Sequence, residues 1–218
     1  MKSLVLSILA LCSVGALYSQ NYYIPGTQVS AEGITYNVTK VGDYTMVLTN
    51  AGNTMGDVKQ LYYKDGKPLE AENYNSVSAR PAPGMFAKAL TSTFTKPEFE
   101  ELRQIEKPLI VAFYISPDGN ILDLVFTWSA ISDMQRIPPS KFALLEQNLK
   151  KYVTFEVNPL GRRLQFMSGF RFINFSKIQL YYPGDPRPGI KDPQIDMKPQ
   201  PDGRPGLADP TDDKTLGN

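Results

Sequence analysis

Side chains able to do acid–base, nucleophilic or metal chemistry are sparse in this chain, and the commonest one is missing. There is no histidine among 218 residues, so the usual general base and metal ligand near neutral pH is absent. Ser–His and Cys–His nucleophiles and His-ligated zinc are thereby excluded. Paired carboxylates, a Ser–Lys pair or a Tyr/Arg site remain. Glu98, Glu100, Glu101 and Glu106 crowd one short stretch and read as the solvated face of a helix. Asp118 and Asp123 flank an Asp-Gly turn, where Asp118 serves the turn. Ser140 and Lys141 are adjacent, whereas acylating Ser–Lys enzymes need the lysine three residues on, one helical turn away. No P-loop or G-x-G-x-x-G run offers backbone amides to a phosphate. The chain is therefore expected to be no enzyme and to need no cofactor and no metal.

Binding is better served than catalysis. Aromatic residues are the enriched class, with 12 Tyr and 11 Phe. A tyrosine presents an apolar ring and a hydrogen-bonding hydroxyl, which suits stacking on a sugar or contact with a peptide. Tyr62-Tyr63 are adjacent, and adjacent residues of a strand face opposite ways, so one ring is expected in the core and the other outside. Arg162-Arg163 follow a glycine at an expected hairpin tip and can meet an anion. Tyr62, Tyr63, Arg162 and Arg163 are the candidate contacts for a ligand or partner. Nucleic acid is not an expected partner, because 23 Lys and Arg against 22 Asp and Glu leave a formal charge of +1 and no basic footprint.

The segments that position these residues differ sharply in composition. Lys2 followed by the apolar run Leu4 to Leu17 and a polar switch at Ser19-Gln20 has the pattern of a secretory signal peptide over residues 1–19. The run is too short to span a bilayer. Leu11 stands before Cys12 where a lipobox wants a small residue, so lipidation at Cys12 is not the expected fate. Processing would leave a soluble, exported, cysteine-free chain, in the periplasm, on the outer surface or outside the cell, held by packing alone. At the other end, residues 183–218 are rich in Pro, Gly and Asp and poor in large apolar side chains, the composition of an unfolded tail. Its Asp192, Asp196 and Asp202 lack calcium-loop spacing, and Pro186-Arg187-Pro188 leans toward polyproline II.

Two packed segments lie between. Residues 20–84 read as a small β segment. Ile34, Tyr36 and Val38 alternate with polar residues, Tyr44 to Thr49 and Val58 to Tyr63 are strand candidates, and Asp65-Gly66 suits a tight turn. Residues 85–182 read as α+β. Thr95 and Glu98 make a capping box, with Phe99, Leu102 and Ile105 on one helix face. Leu109 to Ile115, Ser116-Pro117-Asp118-Gly119 and Ile121 to Trp128 form a hairpin whose Leu122, Leu124, Phe126 and Trp128 share a face. Pro138-Pro139-Ser140 opens a second helix, with the stripe Phe142, Leu145, Leu149 and Tyr152 opposed by Lys141, Glu146, Gln147, Lys150 and Lys151. Strands near 154–157 and 166–177 close the segment. The expected fold is α+β, a mostly antiparallel sheet with two helices packed on one face and a small β segment before it.

From Pro108 to Phe175 the order strand, Asp-Gly turn, strand, helix, strand pair resembles the C-terminal domain of TonB-type periplasmic proteins. The residues that carry the likeness are Val111 to Ile115, Asp118-Gly119-Asn120-Ile121, Phe142 to Tyr152 and Phe170-Arg171-Phe172. The chain departs from that pattern at Ser129-Ala130, where the family has Ser-Gly, and at the end of the helix. The whole chain is also similar to secreted proteins of Gram-negative bacteria that carry a signal peptide and a Gln at the mature start. The resemblance implies a fold and a compartment and brings no catalytic residues. Two functions follow as expectations: a binding module that engages a cell-envelope protein through an exposed sheet edge, or a glycan- or small-ligand-binding protein that uses its surface tyrosines.

Overall fold

The computed structural model describes residues 21–55 and 60–185. The expected signal segment with Cys12, strand residues Val58 and Lys59, and the tail beyond Asp185 lie outside the described residues.

The first three strands form a meander: β1 Gln28–Ala31, β2 Ile34–Val41 and β3 Thr45–Asn50. Glu32 and Gly33 join β1 to β2 with φ of 51° and 76°. Positive φ at both central residues is the turn whose twist matches the flanking strands. The second hairpin pairs β5 Leu109–Ile115 with β6 Ile121–Ser129. Both hairpins belong to one antiparallel sheet, because β3 also pairs with β6, setting Leu48 against Phe126 and Met46 against Trp128. The expected small β segment is therefore no separate layer. Its apolar row continues directly across the hairpin's apolar row, and a shared buried face stabilises that long-range pairing. With β8 Met167–Ile173 laid on β5, the order is β1-β2-β3-β6-β5-β8.

Three helices occupy one face, where two are expected. The capping box forms at Thr95, whose N–H and hydroxyl both donate to Glu98 Oε2, at 2.8 and 3.0 Å; the helix it opens is α2, Lys96–Leu102. Before it lies α1, Met85–Thr93, which buries Phe86, Ala89, Leu90 and Thr93. The long helix α3, Pro139–Tyr152, lies beside α1, where Asn148 Nδ2 donates to Thr93 Oγ1 at 3.0 Å. Its Phe142 sits 5.0 Å from the Phe126 ring and is stacked on Trp128 at 5.3 Å. The expected cover of the hairpin by this stripe is thus met. Tyr23 closes the same cluster, its ring 5.1 Å from Trp128 and its hydroxyl donating to the Ile137 carbonyl at 2.7 Å. Each such fully buried aromatic contributes about 1.5–3 kcal/mol of transfer free energy.

Three local expectations are corrected. Leu122 is 42% exposed, because the register shifts between Tyr114 and Ile115 and turns it off the face of Leu124, Phe126 and Trp128. Glu146, expected on the wet side of α3, is 1% exposed. It accepts hydrogen bonds from Tyr36 Oη at 2.8 Å, Asn50 Nδ2 at 2.9 Å and Lys150 Nζ at 2.9 Å. Finally, β7 Phe155–Val157 does not pair with β8. It forms a two-stranded ribbon with β4 Ala79–Pro81, because Phe155 docks on the Asp118-Gly119 turn, its N–H donating to the Gly119 carbonyl at 2.8 Å.

Candidate functional site

The four nominated residues converge on one corner of the molecule, just before β8. Residues 61–69 fold back on themselves, the Leu69 N–H donating to the Leu61 carbonyl at 2.8 Å. This loop pairs with the 163–165 segment: Lys64 N–H donates to Arg163 O at 2.9 Å and Gln165 N–H to Tyr62 O at 2.8 Å. Neither tyrosine is core. Tyr62 is exposed and Tyr63 half-buried, while Leu61 and Leu69 supply the buried side. Only isolated bridges form here, Tyr62 with Pro68 and Tyr63 with Leu164, so a regular strand's alternation of faces does not apply.

The Tyr63 ring carries the Arg163 guanidinium at 5.2 Å, and its hydroxyl donates to Glu70 Oε2 at 3.1 Å. Loss of water contact first, and the Glu70 carboxylate second, push that hydroxyl above its usual pKa. Tyr63 is thus committed to its neighbours, and Tyr62 is the ring left open. Arg162 and Arg163 do not sit on a loose hairpin tip. They ride on a short 3-10 turn, Gly161–Arg163. Asn158 Oδ1 accepts from Gly161 N–H at 2.9 Å, and Arg162 Nε donates to the Val157 carbonyl at 3.1 Å. A Cβ at Gly161 would press on Met167 Sδ and Val157 Cγ1, so the turn is packed as well as hydrogen-bonded.

Immediately beyond this corner runs β8, the outermost strand of the sheet. It ladders with β5 in register from Leu109↔Ile173 to Ile115↔Met167, and with no other strand among the described residues. Seven residues present roughly 23 Å of backbone edge at about 3.3 Å per residue. Native edges are commonly guarded by proline, outward lysine, an inward-pointing charge, bulges or shortness. The opposite edge, β1, uses shortness, with four residues. β8 reads MSGFRFI and holds neither proline nor lysine. Its one charge, Arg171, is turned under the helices with its guanidinium 3.7 Å from the centre of the Phe86 ring. On the other face Phe170 and Phe172 meet edge to face at 5.4 Å, and Phe172 is 51% exposed.

Sequence reasoning nominated the corner residues without placing them together and expected an exposed edge without saying which, since an edge is a property of pairing and leaves no local mark. The candidate acids are scattered: Asp118 stands at the hairpin turn, and Glu98 accepts from Lys141 Nζ at 2.7 Å. No three acidic or cysteine side chains converge as a metal site would need among the described residues. Among the same residues no helix is long and apolar enough to cross a membrane.

The comparisons with known proteins fit this architecture. The chain is similar to a DUF5043 family protein from Bacteroides uniformis ATCC 8492, known from its crystal structure. The TM-score is 0.59 at 23% identity, over 79% of this chain and 97% of that one. At that identity the likeness concerns the fold. No curated protein matches the chain. The model of the DUF5043 family, a domain of unknown function, matches residues 20–170. With well over half of its length matched, the chain belongs to the DUF5043 family.

Proposed function

We propose that this chain is a non-enzymatic binding protein that takes an extended segment of a protein partner as an added strand on the outer edge of β8. The observation that carries the reading is the long outer edge: seven residues, one ladder among the described residues, and an exposed Phe172 beside it. Strand addition draws affinity from main-chain hydrogen bonds and specificity from side-chain contacts on alternate residues. Here Phe170 and Phe172 would receive the partner's side chains on one face. The order strand, turn, strand, helix over β5, β6 and α3, which resembles the opening of TonB-type C-terminal domains, supports the reading, although β7 does not pair with β8. Together with export directed by residues 1–19, it points to a partner in the cell envelope.

Affinity capture from envelope extract tests the proposal. The wild-type chain should retain a partner that Phe172→Lys loses, because a charge on an edge strand opposes pairing. Tyr62→Ala should retain it. Equal capture by Phe172→Lys would refute edge pairing, and loss with Tyr62→Ala would move the site to the tyrosine corner.

A further inference from the structure

We infer that the cavity beside the Gly161–Arg163 turn binds a polyanion, a ligand carrying two or more carboxylate, sulfate or phosphate groups. The cavity is an open concavity of about 940 Å³, within the range of small-molecule sites. Three cations from three separate segments line it: Lys64 from the folded-back loop, Arg80 from β4 and Arg162 from the 3-10 turn. None of the three forms an ion pair among the described residues. Cations gathered in one concavity repel one another, and an anion spanning them removes that repulsion.

The site has the features of a built one. Arg162 is fixed through its Nε, so its terminal nitrogens are oriented for a forked contact with an oxyanion. Phe155, Val157 and Pro117 add apolar wall, which limits water and strengthens charge interactions nearby. Asp118 and Glu156 line the same cavity. They repel any anion not aligned with the cations, which makes the site selective for the spacing of the ligand's charges. The three cations come from three segments with Asp118 and Glu156 set among them, so a ligand with two or more charged groups can reach more than one cation where a single small anion reaches one.

Isothermal titration of the full chain with citrate, pyrophosphate and a short heparin oligosaccharide tests the inference, and the responding probe identifies carboxylate, phosphate or sulfate. Saturable binding of at least one probe is expected, weakened about tenfold or more by Arg80→Gln and by Arg162→Gln. Both side chains are exposed; the thermal melt of Arg80→Gln should be unchanged, while Arg162→Gln also loses the bond to the Val157 carbonyl and should melt slightly lower. Phe172→Lys should bind the probe as wild type does, which separates this site from the edge of β8. Absence of binding by all three probes would overturn the inference, as would binding that survives both arginine substitutions.

Discussion

Gly119 couples two demands that only glycine meets. Its φ is +87°, and an added Cβ would collide with the Phe155 carbonyl oxygen. Gly66 has nearly the same φ, +86°, with open space around it. Gly66→Ala should therefore cost only the left-handed strain, about 1–2 kcal/mol. Gly119→Ala should cost clearly more, because β7 must also move; urea denaturation of the two variants measures the difference, and equal losses would mean the turn does not hold β7. Glu146 is the second residue whose surroundings decide its role. Tyr36, Asn50 and Lys150 all donate to it, and burial first, then the Glu146 charge, raises the Tyr36 hydroxyl well above its usual pKa. Removing one partner from such a cluster leaves buried donors unsatisfied, at about 1–3 kcal/mol. Glu146→Ala should lose at least that much in chemical denaturation, while Glu146→Gln, which keeps acceptor capacity, should lose less. An Ala variant as stable as wild type would mean that the cluster contributes nothing.

At the scale of elements, α3 packs on the hairpin through Phe142, which meets Phe126 and Trp128. Phe126→Ala and Phe142→Ala should each cost about 3–5 kcal/mol. The two rings touch at 5.0 Å, so the double variant should depart from additivity by about 0.5–1.5 kcal/mol. Mild and additive losses would contradict the contact. A second joint ties α2 to α3. Burial by itself raises the Glu98 carboxyl, but hydrogen bonds from Lys141 and Thr95 prevail and hold it below the usual carboxylate range. A carboxyl lowered on folding stabilises above its unfolded pKa, and that stabilisation is lost as pH falls through its folded value. The urea midpoint of Glu98→Gln should thus fall below wild type near neutral pH and converge with it in acid; a constant gap would contradict the linkage. These elements were legible because their signals are local: a capping box, a Pro-Asp-Gly turn, an apolar stripe. The helix α1 is not among the expected elements, although Phe86, Ala89, Leu90 and Thr93 recur at helical spacing. The burial of Glu146 was not legible, because a charge on the margin of a stripe looks solvated until Tyr36 and Asn50 arrive from a strand pair far away in sequence.

For the whole molecule, pairing between distant segments settles what neither half contains. The row of Tyr36, Val38, Leu48 and Met46 completes the face begun by Phe126 and Trp128, and the joining of the two hairpins leaves β8 at the rim. Arg162 and Arg163 were legible as a basic pair following a glycine. That they share a corner with Tyr63 and Lys64 was not, because the Tyr63↔Leu164 bridge spans a hundred residues of chain. The proposed addition of a partner strand to β8 is open to direct measurement. Amide hydrogen exchange of the chain alone and with its captured partner tests it most directly. Protection gained on binding should fall on Met167–Ile173 and on its ladder neighbour β5. Protection gained only at the helix face or only at the 61–69 corner, with β8 amides unchanged, would contradict it.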